Sequence, residues 1–357
     1  MQLSIKYRPA RFCEVVGQYV SVRVLMNSIF LNRVPKAILF SGIHGTGKTT
    51  LARLYAKALN CTEFRQTGEV CNTCLSCINF SGNPFIVELD AASNNGVDDI
   101  RDLQERVKMI ADVPYKVIIL DECHMLSTQA QVAFLKLLEE PESNRVFLLV
   151  TTNPDKLHPT VRSRCLSMPL KPLTGAEVAM SITNILQVEG ISYTPEFVTN
   201  ISTQCNGSLR DTLQVLEQII MNAAGSTLDL SILENSLGIV TSEQYMRLSA
   251  VFSWIGHYNT SLMKRGAVEH VTSWDQAGVD LRQLFLEGLP KLLRDYSVYF
   301  SGASVPLLSG LDRNSLQFNF TLDDVKMFLR EWEVLEEMMR TTKEPRLIWE
   351  LYFITVL

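Results

Sequence analysis

No apolar run in this sequence approaches the ~18 residues that a membrane-spanning helix requires. The opening residues, MQLSIKYRPARF, carry Lys6, Arg8 and Arg11 where a secretory leader would need an unbroken apolar core. The chain therefore reads as cytoplasmic, with no membrane partner. It also lacks a surplus of positive charge: 33 Lys and Arg stand against 38 Asp and Glu, a formal net charge of -5. A free-standing nucleic-acid binder would normally show a basic face, so any contact with DNA should be local or made within an assembly. Repeats and low-complexity stretches are missing too. With 46% hydrophobic and 20% charged residues the composition is that of an ordinary globular protein. Its 357 residues exceed what one core usually serves, so two or three domains are expected.

The most informative stretch is Gly42 to Thr49, GIHGTGKT. It follows the apolar run Ala37 to Ser41 and precedes the helical pattern TLARLYAKALN, the strand-loop-helix context of a P-loop. Phosphates are dense with charge and need many donors at once. Gly42, Gly45 and Gly47 let successive N-H groups converge, and the helix N-terminus adds partial positive charge. Lys48 would reach the β- and γ-phosphates of ATP, and the Thr49 hydroxyl would take one position on Mg²⁺. Further on, the apolar strand Lys116 to Asp121 closes on Asp121-Glu122. An acidic pair at a strand end is usually a solvated turn. Downstream of a P-loop it is the Walker B arrangement, with Asp121 holding Mg²⁺ through water and Glu122 polarising the attacking water.

Eight cysteines in a reducing compartment are not expected to form disulfides. Cys61, Cys71, Cys74 and Cys77 have the spacing C-x₉-C-x₂-C-x₂-C, four thiolates that suit a closed tetrahedral Zn²⁺ site. An iron-sulfur cluster and a metal-free loop are the competing readings. Cys13, Cys123, Cys165 and Cys205 are scattered and read as small buried hydrophobes.

Between and after these motifs the chain alternates apolar strands with amphipathic helices. A helix is expected over Val20 to Leu31, a buried strand over PFIVELD (Pro84 to Asp90), and a helix over VDDIRDLQERVKMI whose free N-H groups, beside Ser93, Asn94 and Asn95, would hold a phosphate. The run RVFLLV ends on Thr151-Thr152-Asn153, where a hydroxyl or amide would touch the γ-phosphate or its water. Arg162 and Arg164 follow in HPTVRSRC, and Arg210 opens the helix in GSLRDTLQVLEQII. A cation there opposes the helix dipole and needs an anion of its own. From about Ser242 the pattern is again helical, with Trp254, Trp274, Trp332 and Trp349 in amphipathic positions and one turn-rich loop, SGASVPLLSGLDRN.

Taken together these residues resemble the AAA+ ATPases, and within them the clamp-loader subunits of gamma/tau type. The resemblance runs from Lys6 to about Ile239 through KYRPARFCEVVGQ, SGIHGTGKTTLAR, the four spaced cysteines, ELDAASNNGVDDIRDL, DECHMLS, LKLLEEP, TTNPDKLHPTVRSRC and GSLRD. It implies an α/β fold: a parallel-sheet P-loop domain over residues 1–172 with a zinc module at about 61–77, a helical lid over 173–240, and a helical collar over 241–357. It also implies roles. Arg8, Pro9 and Val16 would lie by the adenine, and Gly42, Gly45, Gly47, Lys48, Thr49 and Thr50 would surround the phosphates. Thr152 and Arg210 would be the two sensors, and Arg164 an arginine finger offered in trans to a neighbouring subunit. The implied function is ATP hydrolysis in a five-subunit ring that loads a sliding clamp onto primer-template DNA. No tau-type extension for helicase and polymerase is expected within these residues. Two rivals are a non-hydrolysing subunit of delta-prime type, against which Lys48, Thr49, Asp121 and Glu122 argue, and a branch-migration motor, which leaves the cysteines unexplained.

Overall fold

Five short strands, β1 (Ala37–Ser41), β2 (Ile86–Asp90), β3 (Lys116–Asp121), β4 (Arg145–Thr151) and β5 (Leu166–Pro169), pair in the order β2-β3-β4-β1-β5. All pairings are parallel. The computed structural model describes residues 2–83, 85–108, 114–139, 144–204, 206–237, 244–246, 248–249, 261–276, 279–302 and 321–356.

β1, β3 and β4 are near-continuous apolar runs because helices cover both of their faces, as parallel sheets require. Alternate side chains divide between two cores. Ile38, Phe40, Val117, Ile119, Leu148 and Val150 pack with Leu51, Leu54 and Tyr55 of the helix Lys48–Asn60 and with Leu25 and Ile29 of the helix Tyr19–Phe30. Leu39, Ile118, Leu120, Phe147 and Leu149 face the helices Val97–Lys108 and Thr128–Glu139 through Ile100, Leu103, Phe134 and Leu137. Phe134 meets Phe147 edge-on at 5.4 Å.

The structure corrects three expectations. β2 is an edge strand with its residues alternating in and out of contact with the core, so its apolar run is half-buried rather than buried. Asp90 takes the N-H of Ala92 and the Ser93 hydroxyl, and Asp99 takes the N-H of Gly96. The start of the helix Val97–Lys108 carries Asp98 and Asp99 in its first turn, with Asp99 drawn back to the Gly96 N-H, and this negative charge makes it unsuited to a phosphate. Cys13 is exposed, because its N-H and that of Phe12 are drawn to the Glu69 carboxylate and Phe12 takes the buried place. Cys123 is fully buried, Cys165 partly so, and Cys205 lies outside the described residues.

The chain divides into two compact units, 1–230 and 231–357. In the first, the segment after β5 leads into three helices, Gly175–Glu189, Pro195–Gln204 and Leu209–Ala223. Thr174 and Glu177 form a capping box at the first of these, and Ser208 caps the third through the N-H of Asp211. The second unit is helical and built around aromatics. Trp349, fully buried, stands edge-on to Phe285 at 5.0 Å and to Trp274 at 5.8 Å, and its Nε1-H donates to the carbonyl of Leu281 at 2.8 Å. Trp332 donates likewise to the Phe285 carbonyl. Trp254 and most of the turn-rich loop lie outside the described residues. Among the described residues no helix is long and apolar enough to cross a membrane. Trp349→Ala should destabilise the 231–357 unit by about 3–5 kcal/mol, since it removes a large side chain from a site whose neighbours are too interlocked to collapse. Urea unfolding checks this, and a loss below about 1 kcal/mol would mean that the aromatic cluster does not hold the unit.

Candidate functional site

In a parallel sheet the carboxyl ends of the strands lie along one edge, and here β3, β4 and β1 are consecutive. The P-loop after β1, Asp121 and Glu122 at the end of β3, and Thr151 and Thr152 at the end of β4 are therefore brought to one edge. The loop turns sharply, with Gly45 at φ 72° and Gly47 at φ 96°, both left-handed, so that the helix Lys48–Asn60 starts directly behind it. Gly45 has a second reason to be glycine. A Cβ there would stand 1.9 Å from the Ser208 hydroxyl, so the loop tip lies hard against the start of the helix Leu209–Ala223. Gly42 plays a different part: a Cβ would strike the carbonyl of Leu170 at 2.5 Å, which places it as a close-approach point beside β5 rather than on the cleft.

The cleft bounded by these elements has a volume of about 280 Å³. Arg8, Pro9, Val16, Gly45, Gly47, Lys48, Thr49, Thr50, Asp121, Glu122 and Arg210 all line it. Two independent ties fix its acidic wall. The Thr49 hydroxyl donates to Asp121 Oδ2 at 2.9 Å, and the Glu122 N-H donates to Asp121 Oδ1 at 2.9 Å. A hydroxyl and a carboxylate oxygen in contact are the oxygen donors that a small divalent cation takes. Glu122 itself is left-handed, φ 46°, at a cost of roughly 1–2 kcal/mol, which re-aims its carboxylate as the chain leaves β3. Thr152 Oγ1 donates to Glu122 Oε2 at 3.4 Å.

The opposite wall is cationic. Lys48 is buried and donates to the Ile43 carbonyl at 2.7 Å; burial lowers its pKa, while Glu122 and Asp121 support its charge. Arg8 is likewise lowered, first by burial and then by the proximity of Arg53 and Arg210. Three cations, Arg8, Lys48 and Arg210, around one cleft suit a polyanion, which would offset the burial of Lys48 and the repulsion between Arg8 and Arg210. The apolar end, Ile5, Pro9, Val15, Val16 and Leu213, offers flat surface for a base.

Arg164 lies elsewhere. It donates to Glu139 Oε1 at 2.7 Å and to the Thr160 carbonyl at 3.1 Å, on the surface of its own chain. Arg162 pairs with Asp155. Several lining residues carried no signal that the motifs could give. His44 and Tyr7 lay inside quoted motifs without a role, and Leu173, Leu209 and Leu213 come from helices that reach the cleft only through tertiary packing. His124, in the turn Cys123–Met125 behind Glu122, sits 3.3 Å from Glu122 Oε2 and 3.1 Å from Thr151 Oγ1.

The cysteine cluster forms a second site. The sulfurs of Cys61, Cys71, Cys74 and Cys77 all lie within 4.8 Å of one another, with Cys61 and Cys71 at 3.5 Å and Cys71 and Cys77 at 3.9 Å. Four thiolates at about 2.3 Å around one tetrahedral ion stand about 3.8 Å apart, so the cluster fits zinc. Hydrogen bonds from Thr73 and Cys74 draw Cys71 down to about 6, while burial drives Cys77 up.

A parallel sheet carrying a P-loop, an acidic pair, a polar strand end between them and a helical cap over the loop defines an AAA+ P-loop protein. The RuvB Holliday junction branch migration motor of Thermotoga maritima shares this fold, with a TM-score of 0.50 and 17% identity over 68% of this chain and 78% of that one. The family profile described as DNA polymerase III, delta subunit, matches residues 17–174. The DNA polymerase III subunit gamma of Buchnera aphidicola is 38% identical over 247 residues, 68% of this chain and 66% of that protein. The subunit tau of Bacillus subtilis is 32% identical over 361 residues, 98% of this chain and 62% of that protein. The chain belongs to the clamp-loader AAA+ relatives of the gamma/tau subunits, and it spans less than two thirds of the length of these two curated relatives.

Proposed function

We propose that this chain is an ATP-hydrolysing motor subunit of a replicative clamp loader, a cytoplasmic machine of the DNA polymerase III type. The observation that carries the reading is the contact of Thr49 with Asp121 beside Lys48, Arg8 and Arg210, an intact acid, hydroxyl and cation set around one cleft. In this reading the adenine rests against Pro9 and Val16, with Arg8 beside it. The phosphates would take the P-loop N-H groups, Lys48 and Arg210, and Thr49 and Asp121 would hold a Mg²⁺ ion, which would supply positive charge against the phosphates. Glu122 polarises the water, and Thr152 holds its carboxylate. Arg164 is offered in trans to a neighbour in a five-subunit ring that opens a sliding clamp and closes it on primer-template DNA. The helices of 241–357 form the collar of that ring, and those of 173–240 the lid. The match to the delta-subunit profile admits a non-hydrolysing subunit as second reading, but such a subunit has no use for a paired Thr49 and Asp121.

Zinc in the cysteine cluster belongs to the same proposal, as a structural ion. Protein purified without chelator should carry about one zinc per chain, and its removal should loosen the turns around Cys71–Cys77 locally, while Phe64 and Val70 keep the base of the loop in the core. Free titration of all four thiols in the purified protein would refute the site.

Glu122→Gln should leave ATP binding nearly intact and slow turnover by roughly a hundredfold or more, whereas Lys48→Ala should weaken binding itself. Normal turnover in both variants would place hydrolysis elsewhere.

Arg164→Ala should bind ATP normally as an isolated chain and lose on the order of 10³ in turnover once assembled with clamp and primed DNA. Mixing Arg164→Ala with Lys48→Ala chains in one assembly should restore part of that turnover, since some intact pockets then face intact arginines. Normal assembly without recovery at any ratio would mean that Arg164 acts within its own chain.

A further inference from the structure

The turn behind the acidic pair holds a histidine to which the proposed chemistry gives no role. His124 is nearly enclosed, its side chain 11% exposed, and its Nδ1 lies 3.1 Å from Thr151 Oγ1 and 3.3 Å from Glu122 Oε2. Thr151 is fully buried and already accepts the N-H of Asn153 at 3.0 Å, leaving its second lone pair available. Two proton arrangements satisfy the Thr151 contact. If Thr151 donated to a bare Nδ1, the ring lone pair would stand against a carboxylate oxygen. If Nδ1 carries the hydrogen, it meets two acceptors at once, and the carboxylate gains from it. Electrostatics selects the second arrangement.

Glu122 then has its two oxygens in different settings. Oε2 receives Thr152 Oγ1-H at 3.4 Å and lies 3.3 Å from His124 Nδ1. Oε1 lies on the side of His44, whose Nδ1 is 3.9 Å away, beyond hydrogen-bonding distance, and whose side chain is 70% exposed at the rim of the cleft. We propose that His124 is a positioning residue for hydrolysis: its Nδ1-H, anchored on Thr151 at the end of β4, holds Glu122 Oε2 so that Oε1 is left toward the cleft for the attacking water. The idea rests on Glu122 acting on that water. It also explains how a residue with a left-handed backbone just past β3 keeps one carboxylate orientation: Thr152 contacts it directly from the end of β4, and His124 contacts it while tied to Thr151 of the same strand.

The test compares His124→Leu, which fills a similar space without a donor, with His124→Asn, whose amide N-H occupies about the place of Nδ1-H. His124→Leu should lower kcat for MgATP by about 10- to 100-fold with KM and thermal midpoint little changed, and His124→Asn should recover most of that loss. Full turnover in His124→Leu would overturn the proposal, as would His124→Asn no better than His124→Leu when both are folded. An independent reading uses ¹⁵N-histidine-labelled full chain at about pH 8, above the ordinary imidazole range. A hydrogen on Nδ1 of His124 is expected, and a neutral ring protonated on Nε2 alone would overturn the proposal without reference to activity. If the unsubstituted chain turned over no MgATP with clamp and primed DNA present, the hydrolytic reading would fail first. The ring tautomer would still decide whether His124 anchors Glu122.

Discussion

The parallel pairing of β3, β4 and β1 is the constraint on which everything else depends. Ile118 pairs with Phe147, Leu148 with Ile38, and so on to the strand ends, which leaves three loops of different origin within side-chain reach of one another. Sequence distance is irrelevant there: 72 residues separate Thr49 from Asp121, yet their oxygens are 2.9 Å apart. The buried apolar faces that hold the strands in register therefore also set the site's geometry. A core substitution that shifted β4 by a fraction of an ångström would move Thr151 and Thr152, and through them Glu122, without touching the cleft.

Charge is the second organising influence. Lys48, Arg8 and Arg210 come from the P-loop helix, the N-terminal segment and the capping helix, and Arg8 bears an electrostatic cost from its burial and from the nearness of Arg53 and Arg210. A fold tolerates such convergence when a bound polyanion relieves it. The same arrangement brings the start of the capping helix to the cleft. Arg210 stands at its N-terminal end, where the helix dipole is unfavourable to a cation, while Ser208 of the same turn presses on Gly45. Gly207 secures the junction, since a Cβ there would meet the carbonyl of Leu173 at 2.5 Å. In the proposed function, an anion in the cleft would meet Arg210 and the Gly45–Ser208 contact together, and so the first turn of the helix Leu209–Ala223.

The motifs were legible because each is a local pattern with a local cause. A Gly-rich turn between strand and helix, an acidic pair closing an apolar run, and four spaced thiols announce their geometry in a few residues. What stayed hidden depends on tertiary placement. PFIVELD is apolar enough for a central strand, and only the sheet order shows it at an edge. Ser93, Asn94 and Asn95 looked free to meet a phosphate until Asp90 and Asp99 were seen to occupy that turn. His124 could be read in DECHMLS, yet its value lies in Thr151, which is 27 residues away.

The trans role proposed for Arg164 would ask little of the separate chain. Its pair with Glu139 is partly exposed on both sides, 36% and 49%, and a pair of that kind contributes roughly 0–1 kcal/mol. Turning the guanidinium toward a neighbour's phosphate would therefore cost about as little, while the gain, a charge-assisted contact in a water-poor interface, is several times larger. The pairing thus keeps the side chain extended and ordered in the separate chain without opposing its transfer. If the proposed trans role holds, control of hydrolysis would reside in whether a neighbour is docked, since the exposed Glu139 pair is too weak to act as a latch.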